Sequence, residues 1–307
     1  VASCEAAGTT SVVVSSVADH RGGANFVVTA PNDLDFGGAA PAWACHEAWD
    51  TFQEATGGRA GVGVLAFECA GATTCEAILE AYRASGYRSR LVRDEVVDLG
   101  EGVRAVEARA YDGGGATVLR FLERDEGGAF LPGLTGLACD FTGTPRAVSD
   151  HWVSNVDDRT AFLDMLRDAL GFESLVEFAS GVVAAGEAKI ESTVAGPRDK
   201  GDQRETIFLP VNNAVSDVGH VAEYLKQIGQ GVQHVASRVD DLVSLVERAN
   251  SVREATGEGL AFLNVPRSYY GDLPDARTLA ARAGVPLDEA TAAYEALTSR
   301  GAVDGET

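Results

Sequence analysis

The stretch DHWVSNVDDRTAFLDMLRDALGF, residues 150–172, reads as a strand that runs directly into a helix. Phe162, Met165, Leu166 and Ala169 recur at helical spacing and give that helix one apolar face, and Asp157-Asp158 stand where an N-terminal cap belongs. The same grammar appears upstream. GVGVLAFEC (61–69) is a strand, and TTCEAILEAYRASG (73–86) is a helix opened by Thr73 or Thr74 and closed by Gly86. It appears again downstream, where strand GVQHVASRV (231–239) is followed by helix DDLVSLVERA (240–249). Laid over one another, 61–86 matches 231–252, and NFVVTAPND matches TIFLPVNNA. The chain is thus expected to hold two copies of one module, with a period too long for a solenoid of about 50 residues per repeat.

The remaining segments fit this alternation. Strands are expected at 11–19, 24–33, 190–195 and 205–211, helices at 42–58 and 221–229, and a strand-rich stretch at 88–125 folds about the GGG turn. The Gly-, Thr- and Pro-containing segment 133–146 reads as a linker. We therefore expect an α+β protein with a module at 1–136, a linker at 137–149 and a second module at 150–307. The opening Val1 and the closing GAVDGET lead us to read the chain as truncated at both ends.

Composition narrows the function. With 307 residues and 45% hydrophobic content the chain can bury a large core, which argues against disorder. Its 46 acidic and 25 basic side chains give a net charge of −21, which repels nucleic-acid phosphates and anionic lipid. Neither nucleic acid nor membrane is expected as a partner, and a cytoplasmic location is expected. Cys4, Cys45, Cys69, Cys75 and Cys139 are odd in number and lack paired CxxC spacing, so they read as reduced thiols. Cys45-His46 lacks a second metal-binding pair nearby and reads as incidental.

The difference between the copies carries the chemistry. Val64 in the first stands where His234 stands in the second, so the second gains a metal-binding nitrogen on an otherwise apolar strand. His151 lies on another strand of that copy. Ferrous sites that activate oxygen use two histidines and one carboxylate on one face of the metal, leaving the remaining positions open.

DHWVSNV (150–156), FLPVN (208–212), GVQHVA (231–236) and FLNVPRSYYGDL (262–273), in that order, resemble the 4-hydroxyphenylpyruvate dioxygenase family, which also includes 4-hydroxymandelate synthase. FLPGL (130–134) resembles that family's junction between modules. The resemblance implies two tandem vicinal-oxygen-chelate modules, built from βαβββ repeats into curved, barrel-like sheets, with Fe(II) held only in the second. It places His151 and His234 on the family's histidine ligands. Ser192, Asn212 and Gln233 fall on polar residues that orient the substrate, Pro210 on a proline beside the asparagine, and Val153 on a residue lining the iron site. The implied reaction consumes an aromatic 2-oxo acid and O2 in tyrosine catabolism, within a homo-oligomer. Homogentisate is the product if oxygen reaches the ring of 4-hydroxyphenylpyruvate, and 4-hydroxymandelate if it reaches the benzylic carbon.

Four features depart from the family or strain against it. The family's third ligand is a glutamate on a late strand, and RGAVDGET matches only the run-up to it, which keeps open a catalytically inactive aromatic-acid-binding relative. In the first copy Arg120 falls near the equivalent position. His220 stands in place of a substrate-facing glutamine, either altering substrate choice or simply opening a helix toward solvent. Finally, Gln233 and His234 cannot share one side of a regular strand, because side chains alternate.

Overall fold

The computed structural model describes residues 2–6, 9–15, 25–31, 56–57, 61–69, 71, 73–113, 115, 117–128, 132, 135–136, 147–185, 188–197, 208–259 and 275–299. Its strands are β1 (Ala2–Ala6), β2 (Thr9–Ser15), β3 (Asn25–Pro31), β4 (Val64–Glu68), β5 (Val97–Gly100), β6 (Val103–Arg109), β7 (Val118–Arg124), β8 (Thr135–Gly136), β9 (Ala147–Asn155), β10 (Phe172–Ala185), β11 (Ala188–Pro197), β12 (Leu209–Ala214) and β13 (Gly231–Val239). Its helices are α1 (Cys75–Ala84), α2 (Arg159–Leu170), α3 (His220–Ile228), α4 (Leu242–Thr256), α5 (Ala276–Ala283) and α6 (Leu287–Ser299). They fall into two compact units, Val1–Asp241 and Leu242–Thr307.

A repeat is visible in the strand order, between 64–124 and 147–214 rather than between the segments 61–86 and 231–252 laid over one another in the sequence. β4, α1 and β5 to β7 make a sheet ordered β4-β7-β6-β5, in which β4 and β7 run parallel and the other pairs antiparallel. β9, α2 and β10 to β12 repeat that plan as β9-β12-β11-β10, with β9 parallel to β12. Both are βαβββ units. β13 extends the second sheet by pairing antiparallel with β9, and a further antiparallel sheet runs β3-β2-β1-β8.

Local chemistry sets the helix ends. Thr74 caps α1 by accepting from the Ala77 amide at 3.1 Å, and Asp158 caps α2 by accepting from the Ala161 amide at 2.9 Å. Gly171, at φ 68°, ends α2 in a left-handed turn that a side chain would strain. Between those ends Phe162, Met165, Leu166 and Ala169 are all buried, as their spacing predicts.

Those four side chains meet Val156, Ala195, Leu209, Val211 and Val232 from one face of the β9–β13 sheet. The same core continues into Leu65, Ile78, Leu79, Tyr82, Leu119 and Phe121 of the first βαβββ unit. Burying each large apolar side chain contributes about 1.5–3 kcal/mol, so this shared core makes one folding body of the two units. Polar contacts reinforce the seam: the Tyr82 hydroxyl donates to Met165 Sδ at 3.7 Å, and the Tyr111 hydroxyl lies 2.9 Å from Ser154 Oγ.

Some elements depart from expectation. β10 is a long strand with no counterpart in the sequence reading. Its pairing with β11 slips twice, between Ser174 and Val176 and between Glu177 and Val182, which breaks the two-residue alternation that would reveal it. In the Leu242–Thr307 unit, α4 runs seven residues beyond the expected end, to Thr256, and α5 and α6 were not anticipated. Asp275 caps α5 by accepting from the Thr278 amide at 2.8 Å, and Gly284 closes it. Cys75 is buried and Cys69 half-buried, and neither forms a disulfide. Expectations for 42–55, including Cys45-His46, and for 260–274, including Tyr269-Tyr270, lie outside the described residues, as do most of FLPGL and of the linker.

Candidate metal centre

Two β-bulges build the site. Along β13, Val232 pairs with Ser154 and His234 with Val153, so Gln233 is an extra residue on that strand. Along β9, His151 pairs with Ala236 and Ser149 with Ser237, which makes Asp150 the extra residue there. A bulge sets two residues of one strand against one of its partner and re-aims the side chains beside it. Without the first bulge His234 would turn to the core face with Val232. With it, His234 joins Val153 and His151, and the two imidazoles meet at a centroid separation of 5.6 Å with planes 79° apart.

The bulges also remove the alternation objection to Gln233. The Nδ1 of His234 lies 3.0 Å from Gln233 Oε1, a contact between sequence neighbours that a regular strand forbids. The His151 Nδ1 lies 2.7 Å from Asp150 Oδ2, and the other oxygen of that carboxylate receives Arg238 Nε at 2.7 Å. Carboxylate and amide oxygens only accept, so each Nδ1 carries a proton, and a ring in its neutral form then keeps its lone pair on Nε2. Partial burial lowers the proton affinity of His234, and the charges of His151 and then His220 lower it further. The neutral, ligating form of that ring is thereby favoured.

The rest of the face follows from register. Asn212 on β12 opposes Asn155 on β9 and Ser192 on β11, and Pro210 opposes Val194. By two-residue alternation His151, Val153, Asn155, Ser192, Pro210, Asn212 and His234 share one side of the sheet, opposite the apolar core. Val153 is 4%, Ser192 6% and Asn212 7% exposed, and the Asn212 amide donates to Asn155 Oδ1 at 3.3 Å. A buried face this polar costs stability unless its groups find partners. His220 opens α3, is exposed, and still reaches His234 electrostatically.

Three members of this face escaped the sequence reading. Asn155 is fully buried, and its Nδ2 has no partner among the described residues. Its signal was present, since it lies four residues after His151 on the same alternation. Asp150 and Arg238 had none, because their contact depends on the second bulge. In the first unit, Arg120 is buried and its Nε meets Glu107 Oε1 at 2.5 Å across β6 and β7, so an ion pair occupies that position.

Two imidazoles, each steadied at Nδ1 and with Nε2 unengaged among the described residues, fit in their neutral form two positions of a ferrous two-histidine, one-carboxylate site. Among the described residues no group of three or more His, Cys, Asp or Glu side chains converges to hold a metal. Nor is any described helix long and apolar enough to cross a membrane.

Comparison with known proteins agrees with this architecture. No protein-family model matches the chain. Among solved structures, a mutant 4-hydroxymandelate synthase from Streptomyces coelicolor superposes with a TM-score of 0.51 at 18% identity, covering 86% of this chain and 67% of that one. The fold is therefore the vicinal oxygen chelate fold. Among curated proteins, the chain is 30% identical over 203 residues to 4-hydroxyphenylpyruvate dioxygenase of Hordeum vulgare, 62% of this chain and 43% of that protein. It is 28% identical over 171 residues to the protein of the same name from Dictyostelium discoideum, 52% of this chain and 44% of the other. The chain is thus similar in sequence to 4-hydroxyphenylpyruvate dioxygenases and in fold to a 4-hydroxymandelate synthase. It spans under half the length of these two curated relatives.

Proposed function

We propose that this chain is part of an Fe(II)-dependent 2-oxo-acid dioxygenase that converts 4-hydroxyphenylpyruvate to homogentisate with release of CO2. The observation that carries this reading is the meeting of His151 and His234 on one sheet face, each held at Nδ1 and with Nε2 unengaged among the described residues. His151 and His234 would hold the iron, which when bound supplies a centre that binds the 2-oxo acid and activates O2. Residues 150–307 form the metal-bearing module in this reading, 137–149 the linker and 1–136 a module without metal.

The chain's own residues do the positioning. Asn212 and Ser192 present buried polar groups on the same sheet face as the histidines, where a hydrogen-bonded substrate gains more than it would in water. Gln233 spends its Oε1 on His234 and retains its amide N–H groups for substrate. Val153 and Pro210 supply apolar walls, and His220 sets a polar group near the face from the start of α3. Val153, Asn155, Ser192 and Asn212 are buried on this face, while His151 is half-buried and His234 exposed, which leaves the histidines open to an incoming ligand.

Metal titration followed by product analysis tests the reading. The unaltered chain is expected to take up Fe(II) anaerobically, and His151→Ala or His234→Ala to lose that uptake. Equal uptake by all three refutes it. With iron, O2 and 4-hydroxyphenylpyruvate, homogentisate supports the assignment and 4-hydroxymandelate corrects the regiochemistry. Binding of the aromatic acid without metal would instead mark an inactive relative.

A further inference from the structure

Side chains adjacent in a regular strand point to opposite faces, yet here each histidine is hydrogen-bonded by the residue immediately before it. In both cases that residue is the extra one of a β-bulge, Asp150 on β9 and Gln233 on β13. The coincidence occurs on two strands that pair with each other, at the two imidazoles that meet edge to face. Bulges are costly interruptions of a ladder, and these two accomplish the same thing. Each delivers an acceptor oxygen to Nδ1.

We infer that Asp150, braced by Arg238, and Gln233 are positioning residues that fix the tautomers of His151 and His234, so that both rings turn an unprotonated Nε2 toward a common point. This rests on the metal-binding reading for its purpose but not for its geometry. Asp150 Oδ2 holds His151 while its Oδ1 is engaged by Arg238 Nε, so the carboxylate is tethered at both ends. Gln233 has an amide in place of the carboxylate, and its longer contact of 3.0 Å, against 2.7 Å, is that of a neutral acceptor. Residues of this kind, behind a metal ligand, orient it and raise its basicity, and their loss costs about 10–100-fold in metal affinity.

Nitrogen NMR of the metal-free chain reads the tautomers directly, at a pH where both rings are neutral. Protonated Nδ1 and bare Nε2 are expected at His151 and His234. Asp150→Ala should move the proton of His151 alone to Nε2, and Gln233→Leu that of His234 alone. Gln233→Glu, which keeps an acceptor, should restore the original state. Because the two variants alter different strands, misfolding of one leaves the other to decide. Cobalt(II) titration is then expected to show about 10–100-fold weaker binding in each damaged variant. Protonated Nε2 in the unaltered chain, or tautomers unmoved by both substitutions, overturns the inference even if cobalt still binds. Tautomers that shift as stated in a chain that binds no cobalt uphold it and refute the metal reading instead.

Discussion

The seam between the two βαβββ units can be tested at one hydrogen bond. Tyr111 is buried beside Phe162, with ring centroids 5.3 Å apart, and its hydroxyl lies 2.9 Å from Ser154 Oγ on β9, the strand that carries His151. Tyr111→Phe keeps the ring and removes only the oxygen, leaving the Ser154 hydroxyl buried without that partner. Stranding a buried polar group costs about 1–3 kcal/mol, well above the roughly 1 kcal/mol net worth of the bond itself. Ser154→Ala strands the tyrosine hydroxyl in the same way, although Thr117 remains near enough to share it. The double variant strands neither, so it should cost less than the sum of the two single changes by about 1 kcal/mol. Urea unfolding followed by tryptophan fluorescence measures this, provided the slope with denaturant stays constant across the four proteins. Additivity within about 0.3–0.5 kcal/mol would show that the residues do not touch, and that the first unit does not pack on β9 as described.

The first unit also holds a buried ion pair. Arg120→Ala should destabilise the chain by about 3–5 kcal/mol, because the largely buried Glu107 carboxylate loses its Arg120 partner, and a urea midpoint near that of the unaltered chain would refute the pairing. Acidity should act through His234, whose pKa is held below its ordinary 6.5 by burial and by the charges of His151 and His220. The folded, metal-free chain then binds that proton less readily than the unfolded chain. The stability contribution present above pH 6.5 is accordingly lost as pH falls through the lowered folded value. Measured by urea midpoint, the advantage of the unaltered chain over His234→Gln should shrink on acidification; an advantage that grows would reverse the assigned shift.

Much of this was legible because local rules were sufficient. The apolar face of α2, the caps at Thr74 and Asp158 and the glycine stop at Gly86 follow from spacing and residue type alone. The shared face of Ser192, Pro210, Asn212, Val153 and His151 also follows once the strands are named, since alternation needs no tertiary information. β10 was hidden because its slips break that alternation, and the α5 and α6 pair because its caps were passed over rather than absent.

What the sequence determined by itself was the alternation of strand and helix, its repetition, and which residue types stand at the candidate site. Only the tertiary structure decided which way the second histidine faces. A bulge is a mismatch in residue count between two paired strands, and neither strand carries it alone. The register between β9 and β13 therefore settled that Gln233 and Asp150 are the extra residues, that His234 turns to meet His151, and that both rings are held at Nδ1.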